Sequence, residues 1–146
     1  MSREIVAIAA DHGGYEMKEL LKADLDGLGF DVLDLGTNNA DSVDYPDFGH
    51  AIGEAIANSQ ARYGVAICGS GIGISIAANR HANVRAALCH DGLTAKLSRQ
   101  HNNANVLALG ARIIGIETAR DAVSAFFTTD FEGGRHERRV DKIELT

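Results

Sequence analysis

Short apolar runs recur along this chain at Ile5 to Ala10, Val32 to Leu35, Val65 to Cys68, Val84 to Cys89 and Val106 to Leu109, and all but the second are nearly continuous. A strand that is apolar on both faces has to be covered on both, which is the pattern of a parallel sheet held between helical layers. Helical spacing fills the gaps. Met17, Leu20, Leu21, Leu25 and Leu28 fall three and four apart within Tyr15 to Leu28, and Ile52, Ala55 and Ile56 do so within Phe48 to Ala57. Ile72 to Ala78, Leu93 to His101 and Glu117 to Phe127 continue the rhythm, which predicts a doubly wound α/β layer fold. Residues 1–146 read as a single domain, with no linker, repeat or low-complexity stretch, and the only proline, Pro46, stands where it can open a helix. A double glycine and a basic helix form a C-terminal arm over about residues 132–146, with little apolar face of its own; such an arm commonly docks elsewhere, including on a second subunit.

Charge narrows the function classes. The formal net charge of -6 makes the whole-molecule field repel nucleic acid, anionic membrane and phosphorylated metabolites alike, so any bound anion has to meet a local basic cluster. The 2 cysteines, the lack of a signal-like apolar N-terminus and the lack of an apolar run near membrane-spanning length give the expectation of a soluble, cytoplasmic protein with free thiols.

In an open parallel sheet, ligands bind outside the carboxyl ends of the strands. The residues that follow each apolar run are Asp11-His12-Gly13-Gly14, Gly36-Thr37, Cys68-Gly69-Ser70-Gly71, His90-Asp91 and Gly110-Ala111-Arg112. All five are polar or glycine-rich, so one sheet edge collects an acid, imidazoles, a thiol and a guanidinium. The run "CGSGIG" matches neither the dinucleotide fingerprint nor the phosphate loop, and its glycines can serve close packing alone. Chemically, they offer a row of backbone N–H groups able to hold an anion or a developing oxyanion, to which Ser70 adds a hydroxyl. A lone cysteine is more often a small buried hydrophobe, yet a thiol at a strand-to-helix turn is placed to act as a nucleophile or a base. Cys89, with no glycine loop behind it, reads as core or cleft wall. His101 ends a helix, where meeting the helix dipole is as good an explanation as catalysis. Asp11 and His12 stand before Gly13-Gly14 with no core to satisfy, which favours a functional reading. Arg135 and Arg139 are four apart and share a helix face that suits a phosphate, although basic faces are more often merely solvated.

Taken in order, "DHGGYEMK", Gly36-Thr37, "DYPDF", "CGSGIGISIAANR", "RAALCHD", "LSRQHNNANVLALGAR" and "FEGGRHERRV" resemble the ribose-5-phosphate isomerase type B family, the group that also holds allose-6-phosphate isomerase and the galactose-6-phosphate isomerase subunits. The resemblance covers nearly the whole chain. It implies a Rossmann-like three-layer αβα sandwich with a five-stranded parallel sheet, no cofactor, metal or nucleotide, no nucleic-acid or membrane partner, and a homodimer, or a dimer of such dimers, with active sites at the subunit interface. It also implies a sugar phosphate as substrate in the pentose phosphate pathway. Cys68 matches the base that moves a proton between C2 and C1 of the open-chain sugar. Ser70 and the N–H groups of Gly69, Gly71 and Gly73 match the hole for the enediolate. His101, with Asp11 nearby, matches the ring-opening group, while Asn102 and Tyr45 match the sugar site. His12, Arg112, Arg135 and Arg139 match the phosphate site, some of them supplied by the second chain. Many members carry threonine where this chain has Ser70, a change that widens the pocket and opens the question of six-carbon substrates. Many carry lysine where it has Arg80, an expected neutral change.

Three rivals follow from the residues: an isomerase of six-carbon phosphosugars, a nucleotide-binding α/β module without chemistry, and a thiol hydrolase using Cys68 and His101. The missing fingerprints count against the second, and the third leaves the arginine arm without a role.

Overall fold

The apolar runs become the strands of one all-parallel sheet in the computed structural model, which describes residues 3–145. These are β1 (Ile5–Ala10), β2 (Asp31–Asp34), β3 (Tyr63–Cys68), β4 (Ala86–Leu88) and β5 (Val106–Gly110), in the spatial order β2-β1-β3-β5-β4. Between and after them run α1 (Tyr15–Gly27), α2 (Tyr45–Ala57), α3 (Ile72–Ala78), α4 (Gly92–Asn102), α5 (Ile116–Phe127) and α6 (Arg135–Asp141). The expected Rossmann-like αβα arrangement is therefore what the chain adopts. The last residue of the basic arm, 146, lies outside the described residues.

Side-chain alternation along each buried strand sends its residues into two cores. Val6, Ile8, Val65, Ile67, Leu107 and Leu109 face a bulky core with Leu21, Leu25 and Phe126 of α1 and α5. Ala7, Ala9, Ala66 and Cys68 face a second core with Ile52 and Ile74 of α2 and α3. The small residues on that second face let α2 and α3 sit close, and a Cβ on Gly49 of α2 would approach the Ile74 carbonyl oxygen to 2.9 Å.

β4 is shorter than the expected Val84 to Cys89. It is one edge of the sheet, and at its start the Asn79 side chain takes the place of a neighbouring strand, accepting from the Ala86 N–H at 2.7 Å and donating to its carbonyl at 3.0 Å. Just before the strand, the Arg85 N–H goes to the Asn105 side chain at 2.8 Å. Such blunting is how natural sheets keep an edge from pairing indiscriminately. The helices flanking this edge leave apolar stripes uncovered: Ile72 and Ile76 on α3 are 53% and 61% exposed, and Leu93 and Leu97 on α4 are 64% and 37% exposed.

Candidate active site

The strand order reverses at β1, which has β2 on one side and β3 on the other, so the crevice of the sheet opens between the carboxyl ends of β1 and β3. Asp11 and Cys68 flank it. After β1 the chain turns tightly because the Asp11 carboxylate, itself buried, accepts the N–H groups of Gly13 and Gly14 at 2.9 and 3.1 Å. That turn leans on the next one: a Cβ on Gly13 would lie 3.4 Å from the Gly69 nitrogen.

Cys68 ends β3, 4% exposed, and its Sγ receives the N–H of Gly71 at 3.1 Å. Ser70 Oγ receives the Ile72 N–H at 3.1 Å, which leaves the hydroxyl proton available to a ligand. Gly71 has a positive φ of 77°. A Cβ there would stand 2.5 Å from Leu88 Cδ1 and 2.8 Å from the Leu109 carbonyl carbon, so only glycine turns the chain here. Gly71→Ala is accordingly expected to lower stability by about 2 to 4 kcal/mol, read as a shifted urea midpoint, through strain and overpacking together. α3 has only seven residues, so its dipole is weak; the polar character of the turn comes from individual N–H groups. Gly73, second in α3, lacks a carbonyl one turn earlier within the helix for its N–H.

Further residues close around the turn. A Cβ on Gly69 would meet the Arg112 side chain at 3.4 to 3.5 Å, and one on Gly73 would meet the Tyr45 ring, including Cδ1 at 2.8 Å. Gly73 is therefore small because the Tyr45 ring lies over it, while the Arg112 side chain lies in ordinary contact distance above Gly69. His12 Nδ1 accepts the Val43 N–H at 3.2 Å, so a neutral His12 ring carries its proton on Nε2, and the loop leading to Tyr45 is tied to the Asp11 turn. Asp11, His12, Tyr45, Cys68, Gly69, Ser70, Gly71, Gly73 and Arg112 thus gather at one edge of the sheet, as the order of motifs suggests. The second thiol lies apart: burial pushes Cys89 up, against hydrogen bonds from Thr94 and Ser98, and suits it to core packing.

Within one chain, the course of α4 keeps His101 away from Asp11. This helix leaves β4 at its carboxyl end and must return across the sheet before parallel β5 can begin. With eleven residues it spans about 16 Å. Its C-terminal end is held at the strand starts, where the Arg85 Nε donates to the Asn103 carbonyl at 2.9 Å and the Asn105 N–H to the Arg85 carbonyl at 3.0 Å. His101 and Asn102 are therefore at the edge opposite Asp11 and Cys68 within one chain. The arm joins them there: the Glu132 N–H donates to the Gln100 carbonyl at 3.1 Å, and α6, with exposed Arg135 and Arg139, packs beside α4. His101 stacks on His136 with ring centroids 4.5 Å apart, and both rings face the Glu132 carboxylate. Sequence reasoning did not single out Glu132 or His136.

A thiol, an acid, imidazole, guanidinium and aligned N–H donors thus stand together at the switch point of a parallel sheet, the place where α/β proteins of this topology bind ligands. The sequence profile of the ribose/galactose isomerase family matches residues 6–143, and the chain belongs to that family of isomerases. It is 43% identical over 138 residues to ribose-5-phosphate isomerase B of Escherichia coli, covering 94% of this chain and 93% of that protein. A probable ribose-5-phosphate isomerase B of Mycoplasma genitalium is 43% identical over 140 residues, covering 94% and 92%. Among solved structures, the ribose 5-phosphate isomerase of Thermotoga maritima superimposes with a TM-score of 0.94 at 47% identity, covering 99% of this chain and 100% of that one. The type B enzyme of Trypanosoma brucei gives 0.94 at 40% identity, covering 97% of each.

Proposed function

We propose that this protein interconverts ribose 5-phosphate and ribulose 5-phosphate through a cis-enediolate, with Cys68 as the base. The observation that carries the reading is the Gly71 N–H donated to the Cys68 sulfur at the mouth of the crevice, in a chain that shares close to half its residues with enzymes named for this reaction. The sugar is mostly a closed ring, so an acid–base group first has to move a proton between ring oxygen and C1 hydroxyl, the task assigned to His101. The thiolate then takes the proton from C2, the C2–H electron pair becomes the C1–C2 double bond, and negative charge passes to the C1 oxygen. Ser70 and the N–H groups of the glycine turn stabilise that charge; one such donor is typically worth about 2.7 to 4 kcal/mol of barrier. Returning the proton to C1, while the C2 hydroxyl proton moves to O1, gives the ketose. His12, Arg112, Arg135 and Arg139 hold the phosphate, and Tyr45 and Asn102 the sugar.

His101, Asn102, Arg135 and Arg139 can join Cys68 only from a second copy of the chain, and a homodimer is part of the proposal. The apolar stripes of Ile72, Ile76, Leu93 and Leu97 beside the β4 edge are the surface it would bury. A two-fold axis across that edge runs the partner's α4 antiparallel, which sets its far end beside the glycine turn. Both cysteines are free, as suits the reducing cytoplasm, where we place the enzyme. No helix of the described residues is long and apolar enough to cross a membrane.

Comparing kcat/KM on ribose 5-phosphate with allose and galactose 6-phosphates tests the substrate. The reading predicts preference for the five-carbon sugar. A preference for a six-carbon sugar would support the alternative that the small Ser70 side chain raises. Arg139→Ala is expected to raise KM more than it lowers kcat, because phosphate contacts are uniform across ground and transition states. An unchanged KM removes Arg139 from the site.

A further inference from the structure

We propose that His101, Glu132 and His136 form a binding site for a borderline-soft divalent cation of the zinc type, and that filling it silences the enzyme. The site stands on geometry alone; the silencing rests on the role given above to His101.

The three side chains are brought together by backbone, not by chance proximity of surface groups. Gly133 and Gly134 have positive φ values of 66° and 55°, which folds the chain sharply between Glu132 and α6. The His136 N–H closes that turn on the Gly133 carbonyl at 3.0 Å, and Glu132 is anchored to the end of α4 through the Gln100 carbonyl. His136 is consequently buried, with its ring 4.5 Å from that of His101 and nearly parallel at 17°. Glu132 Oε1 is 3.3 Å from His136 Nε2 and 3.9 Å from His101 Nε2, and the three candidate donor atoms lie within 4.8 Å of one another. Donors about 2.1 Å from a tetrahedral zinc are about 3.4 Å apart, so one pair already has the spacing. The other two close when the His101 ring turns out of its stack on His136 and Glu132 swings with it, both side chains being partly exposed at 43% and 49%.

Two imidazoles with one carboxylate select zinc, copper or nickel over magnesium or calcium, which prefer oxygen donors. Arg135 and Arg139 on α6 work against any cation, which sharpens that preference because only strong nitrogen donation overcomes them. A bound metal would occupy the His101 Nε2 lone pair, and that nitrogen could then no longer accept a proton during ring opening. The ion has no part in turnover and acts only as an inhibitor.

The test uses zinc itself, titrated against a chromophoric chelator on the full chain carrying Cys68→Ser, which removes the thiol beside the crevice and needs no activity. We expect one zinc per chain, no competition from magnesium, and an affinity weakened at least about tenfold by Glu132→Gln or by His136→Asn. No zinc binding, or an affinity that neither substitution changes, overturns the site. On the chain with Cys68 intact, zinc is expected to stop isomerisation, a chelator to restore it, and Glu132→Gln to keep basal turnover while escaping the inhibition. Zinc bound at this site with turnover undiminished overturns the silencing and, separately, the role of His101. Absence of isomerase activity in metal-free protein would instead fail the proposed function and leave the binding result standing.

Discussion

Cys68→Ala is expected to lower kcat at least about a hundredfold while ribose 5-phosphate still binds, because general-base catalysis alone contributes about 10² to 10⁴ and alanine carries no group that can take the C2 proton. Asp11 is the nearest acid by fold position, but its Oδ1 is occupied by the Gly13 and Gly14 N–H groups and shapes the turn. The Cys68 side chain is almost fully buried against the α2 and α3 core, so alanine leaves a small cavity and not a collapsed site. Stopped-assay rates set against binding by calorimetry separate the two effects. A variant that keeps more than about a hundredth of the activity shows that Cys68 is not the sole base.

The second large effect concerns two chains at once. Cys68→Ala and His101→Asn should each be nearly inactive alone, yet their mixture, after dissociation and reassociation, should recover about a quarter of the activity expected from the same amount of unmutated protein. Half of the randomly paired dimers are mixed, and in each of those one of the two sites draws an intact Cys68 and an intact partner His101. If the site were built within one chain, every site in the mixture would carry one lesion and nothing would be recovered. The helix geometry makes the outcome sharp, since about 16 Å of α4 stands between the two edges within a chain.

The sheet was legible in the sequence because parallel strands covered on both faces are apolar at every position, a pattern with few alternatives at this length. The start of β4 was not, because the Asn79 and Asn105 side chains take up the backbone groups of Ala86 and Arg85 there. The half of the site made by strand ends could be read from motif order, since a parallel sheet sends every such end to one edge. Its other half could not: the direction of α4 follows from the parallel sheet, but whether His101 meets Cys68 depends on the proposed second copy, which leaves no trace in local spacing. Glu132 and His136 escaped for a related reason. Their meeting with His101 depends on how the Gly133-Gly134 turn folds the arm back onto α4.

Proton transfer through an enediolate by the Cys68 thiolate is read out by proton NMR of ribose 5-phosphate in D2O with EDTA. With the unmutated protein, ribulose 5-phosphate is expected to carry deuterium at C1 after many turnovers, and with Cys68→Ala neither product nor deuterium is expected. Product free of deuterium, or conversion undiminished in the variant, would contradict it.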